Sequence, residues 1–317
     1  MKNLLHNIVI NNYISIGFKK MCKKKNLNEY IYKLIRYSFS DINIIQSKNI
    51  SKKIEKLVNN NSNDHIIIKE IYNWYKNIPE KNKNGFTLTS EEYINTKVNY
   101  MNKIIKKKNL EKLKHETLFD IGSGDCQITK AFAISNDMIP VGIDIKSDIN
   151  WGSSGTNSCK NIKHIYYHGN NLNKMFYNKF DKKIGLIMYN HSLHHFGSID
   201  NIIDSLKKSF KILKKNGILF IREHNNYSND IFINIQHIVL TIKYIIDHNP
   251  EWNFDKINKY YKKFIFSYTS HFFSKKYIID LCEKIGFKLI DCKKNIKLDY
   301  IDYKDISKTY LYAFKKI

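Results

Sequence analysis

Four groups of residues in this chain have the types and spacing to do chemistry. The first is Asp120-Ile121-Gly122-Ser123-Gly124, inside LFDIGSGDCQITKAFA (118–133). Glycines in such a turn let backbone approach a ligand, and the N-terminus of the following helix favours a carboxylate or phosphate. The second is Asp144, 24 residues after Asp120 at the end of VGIDI. A carboxylate there can accept hydrogen bonds from both hydroxyls of a ribose. The third is His191, His194 and His195 in IMYNHSLHHF, imidazoles able to move protons near neutral pH. The fourth is Arg222-Glu223-His224. Arg36 and Arg222 are the only arginines in the chain. A charged triplet that ends an apolar strand must be paired or functional. An Arg222–Glu223 ion pair and a role in chemistry both stay open, as do packing and catalysis for the histidines.

These groups need elements that hold them side by side. From Leu118 onward, strands and helices alternate. Strands are predicted at Leu118–Ile121, Ile139–Ile145, Lys163–Asn170, Ile184–Asn190 and Ile218–His224. A helix runs from Cys126 to Ser135, and another carries Ile202, Leu206, Phe210 and Leu213 on one face, closed by Gly217. The pattern predicts an α/β fold: a Rossmann-like open twisted sheet, mostly parallel, with helices on both faces. In such a sheet ligands sit outside the carboxyl ends of the strands, and all four groups fall there. Ser228 caps a predicted long helix carrying Ile231, Ile235, Val239, Ile242 and Ile246. A polar, aromatic stretch follows, then a helix from Ser274 to Gly286. Phe287–Cys292 and Thr309–Lys316 read as a closing antiparallel pair, giving the sheet an antiparallel C-terminal edge strand. Upstream, Thr89 and Glu92 form a capping box for an amphipathic helix from Ser90 to about Lys108. Ile66–Ile78 reads as a helix between loops at Asn59–Asp64 and Glu80–Gly85. The expected division is a basic helical extension over 1–85 and an α/β domain over 86–317.

The glycine turn lacks the G-x-G-x-x-G spacing, because Cys126 follows Gly122 and Gly124, so a pyrophosphate cradle fits poorly. Its pairing with Asp144 is shared by dinucleotide enzymes and by enzymes that use S-adenosylmethionine. Taken in order, FDIGSGDC, VGIDI, YHGNN, IMYNHSLHHF, SFKILKKNGILFI and FSKKYIIDLCEKIGFKLI resemble the motifs of class I S-adenosylmethionine-dependent methyltransferases. The resemblance covers about Ser90 to the C-terminus and rests on order and spacing. It implies S-adenosylmethionine as cofactor, held by Asp120, Gly122, Ser123, Gly124, Asp144, Ile145, Asn170, Asn171 and Asn190. Asp120 would face the methionine amino group, and Asn170 stands where an Asp often meets the adenine amine. His194, Arg222 and Glu223 are the expected catalytic residues. The chain departs from the pattern at Cys126, in place of a third glycine, and at Lys215-Asn216, in place of Pro-Gly. It has neither the Asn-Pro-Pro-Tyr-type tetrapeptide of amino-group DNA methyltransferases nor the lysine-rich tetrad of ribose 2′-O enzymes. FIREHN followed by IQHI resembles methyltransferase-like proteins of large DNA viruses.

The formal charge is +24. Residues 1–110 hold 21 Lys and Arg against 8 Asp and Glu, so over half of that excess lies there. The charge points to RNA as partner through this lysine-rich region, with the mRNA cap as one acceptor. An AT-rich coding sequence would also load a chain with Lys, Asn, Ile, Tyr and Phe. Tyr260-Tyr261 through His271 reads either as a platform for bases or as an aromatic core. Two other functions stay open: a small-molecule methyltransferase, and a non-catalytic cofactor-binding subunit of an RNA-processing complex. The five cysteines are scattered and the histidines have no Cys or carboxylate at ligand spacing, so no metal site is expected. No apolar run is long enough for a membrane span, and the N-terminus lacks a signal-peptide pattern. A soluble, cytoplasmic protein is expected, in host cytoplasm or virion if viral. The sequence does not speak to oligomeric state.

Overall fold

The computed structural model describes residues 27–39, 42–78, 91–124, 126–145, 163–167, 180–196, 198–224, 235, 238–243, 245–246, 249–267, 273–295 and 309–317. Its strands are β1 (Thr117–Ile121), β2 (Ile139–Ile145), β3 (Lys163–Tyr167), β4 (Ile184–Asn190), β5 (Leu213–His224), β6 (Phe287–Asn295) and β7 (Thr309–Lys316). Its main helices are α1 (Leu27–Ser38), α2 (Ile44–Asn59), α3 (Asp64–Lys76), α4 (Glu91–Ile105), α5 (Gln127–Ser135), α6 (Ile199–Ile212), α7 (Phe254–Ser267) and α8 (Lys275–Ile285).

The strands form one sheet in the order β3-β2-β1-β4-β5-β7-β6. β1 to β5 are parallel, and β7 runs antiparallel to both β5 and β6. Neighbouring strand residues feed opposite faces. Leu118, Leu186, Met188 and Phe220 pack under α4 and α5, with Met101, Ile105 and Phe132. Phe119, Ile187, Tyr189 and Ile221 pack under α6 and α8, with Ile202, Leu206, Ile278 and Leu281. Coverage on both faces explains why the central strands are apolar throughout rather than alternating. The closing antiparallel pair forms as expected, with β7 one place inside the edge. Leu311 to Phe314 are all buried and require a neighbour on each side. β6 carries Lys288, Asp291, Lys293 and Lys294 and takes the edge, where charge deters further pairing.

Local signals fix the helix ends. The Ser274 side chain accepts the Tyr277 N–H (3.1 Å), and α8 stops at Gly286, whose φ of 117° suits glycine. α6 differs from the expectation: it ends at Ile212, and Gly217 lies within β5. Leu213 already pairs with Ile184, the register shifts before Leu186, and the left-handed residue is Asn216, at φ 66°. The buried Leu213 is drawn into the sheet before the helix can reach the glycine.

A second core lies outside the sheet. Tyr30, Ile31, Leu34 and Ile35 of α1, Ile50 and Ile54 of α2, and Ile67, Ile68 and Ile71 of α3 pack with Ile235, Val239, Ile242, Ile246, Ile257 and Tyr261. Residues 27–78 therefore share one hydrophobic interior with residues 235–261. Polar links cross the same boundary: Tyr72 Oη donates to the Trp252 carbonyl (3.3 Å), and Lys76 Nζ to that of Pro250 (2.6 Å). The buried Lys243 lies 5.5 and 5.3 Å from the Phe39 and Tyr75 ring centroids, within reach of both π faces. The predicted helical face at Ile235, Val239, Ile242 and Ile246 is buried as its spacing requires. Ser228 and Ile231, the capping box at Thr89, and the Glu80–Gly85 loop lie outside the described residues. α7 occupies the stretch where no element was predicted. Phe254, Ile257 and Tyr261 follow at helical spacing with lysines between them, and Asn253 accepts the Lys256 N–H (3.0 Å). Tyr261 is a core side chain here, and Tyr260 packs half-buried against the same core. Those of 262–272 are outside the described residues. No described helix is long and apolar enough to cross a membrane.

Candidate functional site

The order of strands reverses between β1 and β4, so a crevice opens at their carboxyl ends. At the end of β1, Asp120 is buried and its Oδ2 accepts the Thr129 hydroxyl at 2.6 Å, tying it to α5. The chain then turns sharply at Gly122 (φ 80°). A Cβ at Gly122 would lie 2.3 Å from the Cβ of Ser192, just past β4, so only glycine lets the two strand ends approach. The N–H groups of Gly122 and Ser123 both donate to the Ile143 carbonyl, at 2.7 and 3.2 Å. That of Gly124 donates to Asp144 Oδ2 at 2.6 Å, and that of Cys126 to the Ser123 carbonyl at 3.0 Å. These four amides are spent inside the turn and on β2. The crevice therefore offers carboxylates and closely approaching backbone, not a ring of N–H donors. Such a lining suits hydroxyls and an ammonium group and repels a pyrophosphate. Each carboxylate oxygen has two lone pairs, so Asp144 can hold Gly124 and still accept from a ligand.

Across the crevice, β4 and β5 end in register, with Asn190 opposite Arg222. The His191 N–H donates to the Arg222 carbonyl (2.8 Å), and residues Leu193–His195 make a single 3-10 turn. That turn presents two backbone donors with no helical partners, and Glu223 takes both. Its Oε1 accepts the N–H of Leu193 (2.9 Å) and, at longer range, that of His194 (3.4 Å). Its Oε2 lies 2.5 Å from His194 Nδ1. Both side chains are only 1% exposed. A hydrogen bond from Nδ1–H to the carboxylate fixes the ring, and in a neutral imidazole held this way the lone pair lies on Nε2. The rings of His191 and His224 lie 4.4 Å apart, those of His194 and His195 3.9 Å, and those of His194 and His224 5.2 Å. The ion pair considered between Arg222 and Glu223 is not formed; each side chain has another partner. Consecutive strand residues project oppositely, so Glu223 goes to His194 while Arg222 Nη1 donates to Asn190 Oδ1 (3.2 Å).

His191 has an enclosed Nδ1 with no hydrogen-bond partner. Burial holds its pKa well below the usual imidazole value, with further lowering from Arg222, His224, His194 and Lys97. The folded protein thus keeps His191 neutral, while the unfolded chain protonates it at about pH 6.5. Its stability contribution is complete above that pH and is lost progressively as pH falls below it. Melting temperature measured from pH 8 to pH 5 should drop more steeply for the native chain than for His191→Gln. Parallel curves would exclude His191 as the source.

The structure thus brings Asp120, Gly122, Ser123, Gly124 and Asp144 to one side of the crevice and Asn190, His194, Arg222 and Glu223 to the other. The side chain of Ile145, and Asn170 and Asn171 entirely, lie outside the described residues. Three contributors were not anticipated: Thr129 beneath Asp120, Ser192 against Gly122, and the buried Lys97 of α4, whose charge reaches His191. Thr129 carried a signal, being a hydroxyl one turn into the helix behind an acidic strand end. Lys97 carried none, since it sits among many lysines. Among the described residues, no group of three or more His, Cys, Asp or Glu side chains is arranged to hold a metal ion.

A family model described as a methyltransferase domain matches residues 92–291. Among solved structures the chain is similar to a SAM-dependent methyltransferase from Archaeoglobus fulgidus, with 14% identity, 72% of this chain and 95% of that one covered, and a TM-score of 0.44. It is similar to SAM-dependent methyltransferases from Methanosarcina mazei, at 14% identity, 65% and 94% coverage and a TM-score of 0.42. It is also similar to the Burkholderia thailandensis 1,6-didemethyltoxoflavin-N1-methyltransferase with bound 1,6-didemethyltoxoflavin and S-adenosylhomocysteine, at 10% identity, 71% and 84% coverage and a TM-score of 0.40. No curated protein matches the chain.

Proposed function

From the premise that the chain belongs to the methyltransferase domain family, we propose that it transfers a methyl group from S-adenosylmethionine to a nitrogen or oxygen acceptor at the ends of β4 and β5. When bound, the cofactor supplies an electrophilic methyl on a sulfonium. Asp120 accepts the ammonium of the methionine part and Asp144 the ribose hydroxyls, with Gly122, Ser123 and Gly124 forming the close wall between them. Asn190 borders the methyl, while Ile145, Asn170 and Asn171 complete the reading on the adenosine side. The observation that carries the acceptor side is the Glu223–His194 pair. Glu223 fixes the ring, and His194 Nε2 orients the acceptor or takes its proton, two residues beyond the Ser192 that touches Gly122. Arg222 positions Asn190.

For the acceptor, RNA is the reading supported by the lysines of the N-terminal helices, the mRNA cap being its narrowest form. A small-molecule acceptor is favoured by a different observation, the near-complete burial of His194 and Glu223. FIREHN and the composition support a viral setting and a cytoplasmic place of action within the same reading. Supplying the protein with methyl-labelled cofactor and separate RNA, small-molecule and protein pools tests the proposal. Label in RNA selects the first reading and label in the small-molecule pool the second. Cofactor binding without transfer to any pool would make the chain a non-catalytic subunit.

Asp144→Ala should weaken S-adenosylmethionine binding about tenfold or more in calorimetric titration, since hydrogen bonds to a charged acceptor contribute roughly 1.5–3 kcal/mol. Unchanged affinity would move the cofactor away from β2.

A further inference from the structure

A second site lies far along the chain from the crevice, in the groove between α2 and α3. It has a volume of about 420 Å³, within the range of small-ligand sites. Both walls repeat one helical spacing: Gln46, Asn49, Ile50 and Lys53 from α2, and Glu70, Asn73 and Trp74 from α3 with Asn77 just past its end. Residues three and four apart share a helix face, so each helix turns one continuous face into the groove. The buried Ile50 and Ile78 form the floor. Lys53 Nζ meets Glu70 Oε1 at 2.5 Å, which neutralises the one carboxylate of the lining. What remains is four carboxamides around an indole. Carboxamides present a donor and an acceptor together, as the edges of nucleobases do, and an indole is a stacking surface. Trp74 is braced by Phe39, edge-on at 5.0 Å, so its plane is set by the core beneath it.

On α2, Lys48, Lys52 and Lys56 follow at i, i+4 and i+8, all exposed. They form a ridge beside the groove-facing residues, with charges about 6 Å apart along the axis. We infer that the α2–α3 groove binds single-stranded RNA, with bases entering between the carboxamides and Trp74 and the phosphates following the Lys48-Lys52-Lys56 ridge. The inference deepens the RNA reading above and rests on it for the class of ligand. It places RNA capture on the helical unit rather than at the crevice.

The test is fluorescence anisotropy of a labelled single-stranded RNA dodecamer with the full chain, without cofactor. Each phosphate contact on a single strand contributes roughly 0.7 to the slope of log K against log salt, so three lysines contribute about 2. K48Q/K52Q/K56Q should remove that part of the slope and weaken binding about tenfold or more at low salt. K107Q/K112Q/K114Q removes the same charge from exposed positions elsewhere and should leave affinity within about threefold. Trp74→Ala should weaken binding at least about fivefold, as loss of one stacked base does. Because Trp74 packs on Phe39, N49A/N73A at exposed positions provides a second reading of the groove, with a fall of several-fold expected. Equal losses from the two lysine triples, or no loss from the groove variants, would reduce the binding to general charge and overturn the inference. So would retention of an acidic peptide by the groove with no binding of RNA. Methyl transfer is measured separately, so failure of the crevice chemistry leaves this result standing, and failure here leaves the cofactor site intact.

Discussion

Glu223→Gln should lower kcat about a hundredfold or more while S-adenosylmethionine affinity stays within about threefold. The substitution keeps the shape of the side chain and one carbonyl oxygen, which can go on accepting the N–H groups of Leu193 and His194. The other oxygen becomes an amide donor facing His194 Nδ1, where the carboxylate held a proton. The imidazole then carries its proton on Nε2 and loses its lone pair on the acceptor side. Removing a general base typically costs 10²–10⁴ in rate, and a mispositioned one less. Single-turnover kinetics, with melting temperature as control, read the effect directly. Glu223→Ala goes further, leaving three buried donors unmet at roughly 1–3 kcal/mol each, and should destabilise the fold itself. A Glu223→Gln protein that binds cofactor and turns over normally would remove the pair from the mechanism. Joint loss of melting temperature and cofactor affinity would make Glu223 a brace for the turn.

The second large effect comes from a single methyl group. Gly122→Ala places a Cβ 2.3 Å from Ser192 Cβ at a backbone φ of 80°, with Ser192 itself bonded to the Ile121 carbonyl and unable to retreat. The left-handed backbone alone costs about 1–2 kcal/mol, and forcing β1 and β4 apart adds typically 1–3 kcal/mol. In a chain of this size the sum corresponds to a fall in melting temperature of roughly 3–8 °C, with cofactor binding lost as the crevice opens. Gly124→Ala, two residues on, is the internal comparison. Its φ is 55°, but nothing lies within 4 Å of the added atom, so only the backbone term applies. Equal effects at both positions would show that the Ser192 contact does not hold the turn.

The sheet and its crevice were legible because parallel strands buried on both faces write themselves as apolar runs, and because their carboxyl ends carry the polar residues. Asp120, Asp144 and Glu223 could be placed this way without knowing a single contact. What stayed hidden were relations between elements. Nothing local in Ser192 says that it will rest on Gly122, and nothing in Glu223 chooses His194 over Arg222. That choice follows from the alternation of side chains along β5 and from a 3-10 turn whose donors need an acceptor. α7 was missed although Phe254, Ile257, Tyr261 and Ile265 recur at helical spacing, because its aromatic residues and interleaved lysines read equally as an irregular polar, aromatic stretch. The docking of residues 27–78 on 235–261 was invisible, since each segment reads as an ordinary amphipathic helix with no sign of its partner.

That docking sets an order of events during synthesis. α1 to α3 leave the ribosome before any strand of the sheet, with Tyr30, Ile31, Leu34 and Ile35 facing the second core. The segment that completes this core emerges only after β1 to β5 have been made. Contacts so distant in sequence form late, and apolar faces left waiting are open to aggregation and to chaperones. The first of the described helices are therefore the last to be secured, and their closure marks a chain that has already extended past β5. A chain interrupted after His224 would keep every residue of the parallel strands and still present a bare helical face, a ready target for proteolytic clearance.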